Sequence, residues 1–157
     1  MAIDIDGVWR TTAGRDAVWE VVSDLSSWRE WWPAIEDVEE LEEGGADGVG
    51  RVARLAFRTP VRRLPVDVEV IAADAPSRLE VASPGGGIRG NGAIDLAETD
   101  GVTEIRYAWQ VNIANPLLRF LEPILRSASS GSGRETMRVA GDRLARLAGG
   151  EPLHHDV

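Results

Sequence analysis

Ile94 and Leu96, then Ile105, Tyr107, Trp109 and Val111, put an apolar residue at every second position on either side of an Asp100-Gly101 pair. Successive side chains on a strand point to opposite faces, so this spacing predicts two antiparallel strands with one apolar face and one wet face. The Asp-Gly pair supplies the two residues that a tight hairpin turn needs. A sheet with one apolar face must be covered, and the rest of the chain is read for the strands that extend it and the helix that covers it.

The first strand is expected over Ala2 to Arg10, where Ile3, Ile5, Gly7 and Trp9 alternate with Asp4, Asp6 and Val8 and point inward. Thr11 and Thr12 offer an N-cap, and Val18, Val21, Val22 and Leu25 then follow at helical spacing. Further strands are expected around Val38 to Glu42, at Val49 to Arg58, Pro65 to Ala73, Arg78 to Ala82, Ile88 to Glu98 and Val102 to Asn112, separated by Pro, Gly and Asp. From Pro116 to Leu147 an apolar stripe predicts a long terminal helix lying across the sheet. The stripe fails between Ala128 and Met137, where Ser129 to Gly133 supply no bulk, so a bend or break is expected there. One domain over residues 1–149 follows, with residues 150–157 a frayed tail.

Three of the six tryptophans fall within five positions, at Trp28, Trp31 and Trp32, and Pro33 limits the helix that carries them. With only two Phe and one Tyr in the chain, so large an aromatic load on one short element suggests a wall facing a cavity. Packing against the first helix is the alternative.

Charge narrows the function classes. A net charge of −9 disfavours nucleic acid and anionic lipid surfaces, since both select clustered positive charge. The absence of cysteine removes disulfides, thiolate metal sites and a thiol nucleophile, and all 17 basic residues are Arg, which removes Schiff-base lysine. No apolar run is long enough to insert into a membrane, and the first fifteen residues lack a signal-peptide pattern, so a cytoplasmic address is expected. Both histidines lie in the tail and no metal-ligand spacing occurs, so no metal is expected. Gly85 to Gly90 satisfies GxGxxG, but a strand rather than a helix follows, so no nucleotide cofactor is expected either.

Several local strings agree with a known pattern: Val18-Trp19, Ser23-Asp24, Trp28 with Trp31-Trp32-Pro33, Gly48 and Gly50, Gly90, Thr103, Tyr107-x-Trp109-x-Val111, Pro116, Pro123 and Met137. On these the chain resembles the SRPBCC (START-like, helix-grip) superfamily, and within it the bacterial polyketide cyclase/dehydrase and lipid-transport group. The resemblance implies an α+β helix-grip fold: a curved antiparallel sheet of six to seven strands, two short helices, and a long C-terminal helix enclosing a cavity. That group carries bulky residues and an Asn-His pair just before the Met. Ser129 to Gly133 stand there in this chain, which implies a roomier floor.

The expected partner is therefore a small hydrophobic or aromatic molecule. The expected lining is Trp28, Trp32, Leu55, Phe57, Ile94, Tyr107, Trp109, Leu121, Gly133 and Met137. The resemblance raises an enzyme version, a cyclase or dehydratase that folds its substrate into one conformer, with Tyr107 as proton donor and Arg54 polarising an oxygen. The alternatives are a non-catalytic carrier of lipid or another hydrophobic ligand, and an interaction protein using the acidic edge from Glu36 to Asp47. The sequence does not choose among these, name the ligand or indicate an oligomeric state.

Overall fold

The computed structural model describes residues 2–59, 62–85, 87–126 and 131–157. Seven strands, β1 (Ala2–Thr11), β2 (Ile35–Glu42), β3 (Val52–Arg58), β4 (Arg63–Asp74), β5 (Arg78–Ser83), β6 (Ile88–Thr99) and β7 (Val102–Ile113), form one antiparallel sheet in the order β1-β7-β6-β5-β4-β3-β2. The fold class is the helix-grip arrangement that the alternation and the resemblance imply. Asp100 and Gly101 have φ of 53° and 78°, the positive pair that lets β6 run directly into β7. The inward face carries Trp9, Leu55, Val70, Leu79, Ile94 and Ile105, all buried.

Helix α1 (Arg15–Val22) and a 3-10 turn (Leu25–Ser27) lead into the one-turn helix α2 (Trp28–Trp31). The N-cap of α1 is Gly14, which makes no side-chain cap bond, and not Thr11 or Thr12. Those threonines are engaged elsewhere. Thr11 Oγ1 accepts from the Ala13 amide and donates to the Glu151 carbonyl, while Thr12 Oγ1 accepts from the Glu151 amide. Strand β2 also begins three residues earlier than expected, because Ile35 turns inward beside Phe57.

Where one long terminal helix is expected, the described chain has a 3-10 turn (Pro116–Leu121), a five-residue helix α3 (Glu122–Arg126) and α4 (Gly131–Leu147). Ser129 and Ser130, the first two of the five residues of the anticipated break, lie outside the described residues, and Gly131 to Gly133 form the first turn of α4. Trp9 anchors α4 to the sheet: its indole Nε1–H donates to the Met137 carbonyl at 2.8 Å, wholly buried.

Residues 150–157 are held, contrary to the frayed tail expected from their composition. Leu153 and Asp156 donate backbone N–H groups to Arg10 and Val8, and Val8 donates to Asp156, so the segment runs along the outer edge of β1. His155 is buried. Its Nδ1 accepts from the Arg10 amide at 3.1 Å, which leaves the ring proton on Nε2 to donate to Asp142 of α4 at 2.9 Å. Burial pulls this imidazole below its usual pKa of 6.5, against the opposing pull of Asp142.

Candidate functional site: an aromatic-walled cavity

Five tryptophans, Tyr107 and Phe57 form one continuous aromatic cluster. It starts with Tyr107 against Trp9 (ring centroids 4.2 Å apart), passes through Trp31, and reaches Trp28, Trp32 and Trp109. Pro33 lies just beyond α2, and Trp32 at its C-cap has extended backbone, which turns that indole out of the helix stripe. Trp32 lies nearly parallel to Trp109 at 5.5 Å and edge-on to Phe57 at 5.8 Å. Two glycines in the sheet make room for these rings. A Cβ on Gly92 would meet the six-membered ring of Trp109, and one on Gly7 would meet the phenol of Tyr107, so each ring lies flat across its neighbouring strand.

One end of this cluster borders a cavity of about 370 Å³ between the sheet and α4. Trp28, Trp32, Phe57 and Trp109 wall it, with Leu55, Val66, Val68 and Val81 from the sheet, Leu121 from the 3-10 turn, and Gly133, Thr136 and Met137 from α4. Its volume lies within the usual range for small-molecule pockets and is about two and a half times that of a cavity that holds one benzene. Two other hollows, of about 520 and 420 Å³, lie on the outer face of the sheet. Their walls carry the ion pairs Arg54–Asp67 and Arg78–Glu80, so they offer an apolar guest little.

The structure brings together eight of the ten residues expected to line the chamber: Trp28, Trp32, Leu55, Phe57, Trp109, Leu121, Gly133 and Met137. Ile94 and Tyr107 face inward but fall outside the cavity wall. They are cross-strand partners at the packed end, where Trp9 and Ile105 fill the interior. Tyr107 therefore does not reach the cavity as an acid. Its phenol is buried over Gly7, and burial, with Asp6 nearby, pushes it far above the ordinary pKa of 10, so it holds its proton tightly. Arg54 is on the opposite face of the sheet, exposed, where its guanidinium makes a two-pronged contact with Asp67 at 2.8 and 3.2 Å. It cannot polarise a guest inside.

Sequence reasoning missed the polar end of the cavity. Arg58 and Thr59 at the end of β3, Ser83 at the end of β5, Arg89 and Asn91 early in β6, and Gln110 in β7 all contribute to the wall. Antiparallel register gathers these strand ends at one end of the sheet, an adjacency that only pairing partners reveal. Arg89 and Asn91 are exposed, as their alternation predicts, while their strand segment borders the opening. Trp109 Nε1–H is buried without a hydrogen-bond partner among the described residues, and its ring stands edge-to-face with Trp28 at 5.9 Å.

A family model described as "Polyketide cyclase / dehydrase and lipid transport" matches residues 9–149, nearly the whole chain. The chain belongs to this polyketide cyclase/dehydrase and lipid-transport family. Solved structures agree on the fold of this family member. The Zhui aromatase/cyclase from Streptomyces sp. R1128 superposes with a TM-score of 0.73 at 16% identity, over 94% of each chain. A START superfamily protein from Mycobacterium smegmatis gives 0.70 at 14% identity, over 92% of this chain and 98% of that one. Norcoclaurine synthase from Thalictrum flavum gives 0.65 at 18%, over 94% of each. At such identities the likeness establishes the shared helix-grip fold and no activity. No curated protein matches the sequence. Among the described residues, no helix is long and apolar enough to cross a membrane.

Proposed function

We propose that this protein binds an apolar, ring-containing small molecule in the cavity between the sheet and α4, and that binding itself is its primary activity. One observation carries the reading. The cavity is walled by Trp28, Trp32, Trp109 and Phe57, with aliphatic residues on the sheet, and small residues of α4 leave the space open. Flat rings on a guest gain from stacking on such walls as well as from leaving water. The volume suits two or three six-membered rings.

A cyclase acting by conformational control is the second reading, supported by the family description. It would require the cavity to fold its substrate without help from Tyr107 or Arg54, neither of which borders the guest. Nor, among the described residues, does the wall contain a carboxylate or a histidine to act as base. Carriage is therefore the simpler use of this wall.

Gly133→Leu tests the primary reading by placing a side chain from α4 into the space. Titrated with N-phenylnaphthylamine and followed by dye fluorescence, the variant is expected to bind at least about ten-fold more weakly, as a filled pocket loses most of its contact area. Equal dye affinity in the two proteins would overturn the assignment of the site.

A further inference from the structure

Among the described residues, Ser83 is the one hydroxyl that the inward face of the sheet presents to the cavity. Strand β5 turns Leu79, Val81 and Ser83 inward, all three buried, and alternates them with Arg78, Glu80 and Ala82. Leu55, Val66, Val68 and Val111, on the same wall, offer only hydrocarbon. Thr59 lies beyond the end of β3, and its hydroxyl is engaged with Arg62, donating to that carbonyl and accepting from that amide. Thr136 belongs to the facing wall, on α4.

The direction of hydrogen bonding at Ser83 is set by its partner. Its hydroxyl donates to the Ile88 carbonyl at 3.3 Å, across the turn between β5 and β6, and a carbonyl can only accept. The serine proton is therefore committed, while the oxygen keeps its lone pairs. Among the described residues nothing donates to that oxygen. A buried hydroxyl with an empty acceptor position favours a guest group that brings a proton over one that only accepts.

Gly90 leaves room beside it. This glycine is the cross-strand partner of Ser83, and a Cβ there would strike the Gln110 carbonyl, so the sheet next to the serine is bare backbone. One row along, Gly92 pairs with Val81 and lies beneath the six-membered ring of Trp109. Val81 and Ser83 are successive inward positions of β5, about 7 Å apart along the strand. A ring system resting on Trp109 thus reaches Ser83 through a substituent on its rim.

We infer that the guest is an aromatic molecule with a ring-borne hydroxyl, which donates to Ser83 Oγ while its rings lie against Trp109 and Trp32. This rests on the binding reading above and names the ligand class of that same site. Ser83 selects by donor: a phenol satisfies its oxygen, and an ether or a methyl group in the same place does not.

Displacement of bound N-phenylnaphthylamine by 2-naphthol, 2-methylnaphthalene and 2-methoxynaphthalene, in the wild type and in Ser83→Ala, tests the inference. The substitution is expected to weaken 2-naphthol about five-fold, the size of one net hydrogen bond, and to leave the other two within about two-fold. Any disturbance of the β5–β6 turn would weaken all three alike, so the difference between probes isolates the contact. Equal changes for naphthol and methylnaphthalene overturn the phenol assignment and leave the cavity's apolar role in place, as does a dye that binds but yields to none of the three. A loss for methoxynaphthalene that matches the loss for naphthol overturns the donor direction and the assignment with it. Failure of the dye itself to bind the wild type would instead remove the binding reading and this inference together.

Discussion

The two ends of the interior are built from the same kind of residue and reach opposite outcomes. At one end Trp9, Trp31, Tyr107 and Ile105 are packed solid; at the other, Trp32, Trp109 and Phe57 border 370 Å³ of space. The difference lies in what faces them. Over the packed end stand Ala140, Gly141 and Leu144 of α4, backed by His155 of the C-terminal segment. Over the open end stand Gly133 and Thr136. Aromatic rings do not themselves make a pocket; the opposing helix decides whether they fill the space or line it.

The largest expected effect on this contrast comes from truncating one ring at each end. Trp9→Ala should cost about 3–5 kcal/mol in urea unfolding, because it empties a filled site and removes the buried bond to Met137. Trp32→Ala, at a partly exposed wall, should cost less than half as much while weakening ligand binding. Equal losses of stability would break the contrast.

Two glycines on α4 sharpen it. A Cβ on Gly141 would run into the Trp9 ring and come within 2.9 Å of His155 Nε2, so Gly141→Ala should destabilise by about 1–3 kcal/mol. Gly133→Ala faces the cavity and should raise stability by up to about 1 kcal/mol through helix propensity alone. Thermal melts of the two variants should therefore move in opposite directions.

The smallest effect is a dependence on pH confined to the packed end. His155 is neutral when folded and its pKa is depressed by burial, so the unfolded chain binds the extra proton more readily. Stability should decline as pH falls through 6.5 toward the lower folded value, and the His155→Gln variant should lose that component of the slope. The groups around the ring are Asp142 on α4, Arg10 on β1, and His154 beside it. Hydrogen exchange at acid pH should show the amides of Leu153 and Asp156 losing protection before those lining the cavity.

Much of this architecture was legible in the sequence because its signals are local. Alternation located the strands to within a few residues, Asp100-Gly101 located the hairpin, and the spacing of Val18, Val22 and Leu25 located the buried side of the first helical segments. Alternation also says which face a residue occupies, and for Trp109 and Leu55 that was enough. It cannot say how far along the strand the open space lies, which is why Tyr107, two residues from Trp109 on the same face, was expected at a cavity it does not touch. The C-terminal segment carried no periodic signal. Its order comes from backbone bonds to Val8, Arg10 and Thr12 and from one histidine caught between two elements, all contacts between distant parts of the chain. That the end of β3 and the start of β6 lie at the same end of the sheet follows from strand register, which local spacing does not reveal.

The two margins of the sheet are finished differently. The outer edge of β1 is sewn to residues 152–156, whereas β2 is the last strand on its side and has no strand beyond it among the described residues. Glu36, Glu39, Glu40 and Glu42 are exposed along that last strand. Unsatisfied strand margins invite other chains to add on, and a row of carboxylates makes such stacking repulsive. Glu36 and Glu40 lie beside Arg63 and Arg51, so it falls to Glu39 and Glu42 to make the addition of a further strand to this border unfavourable.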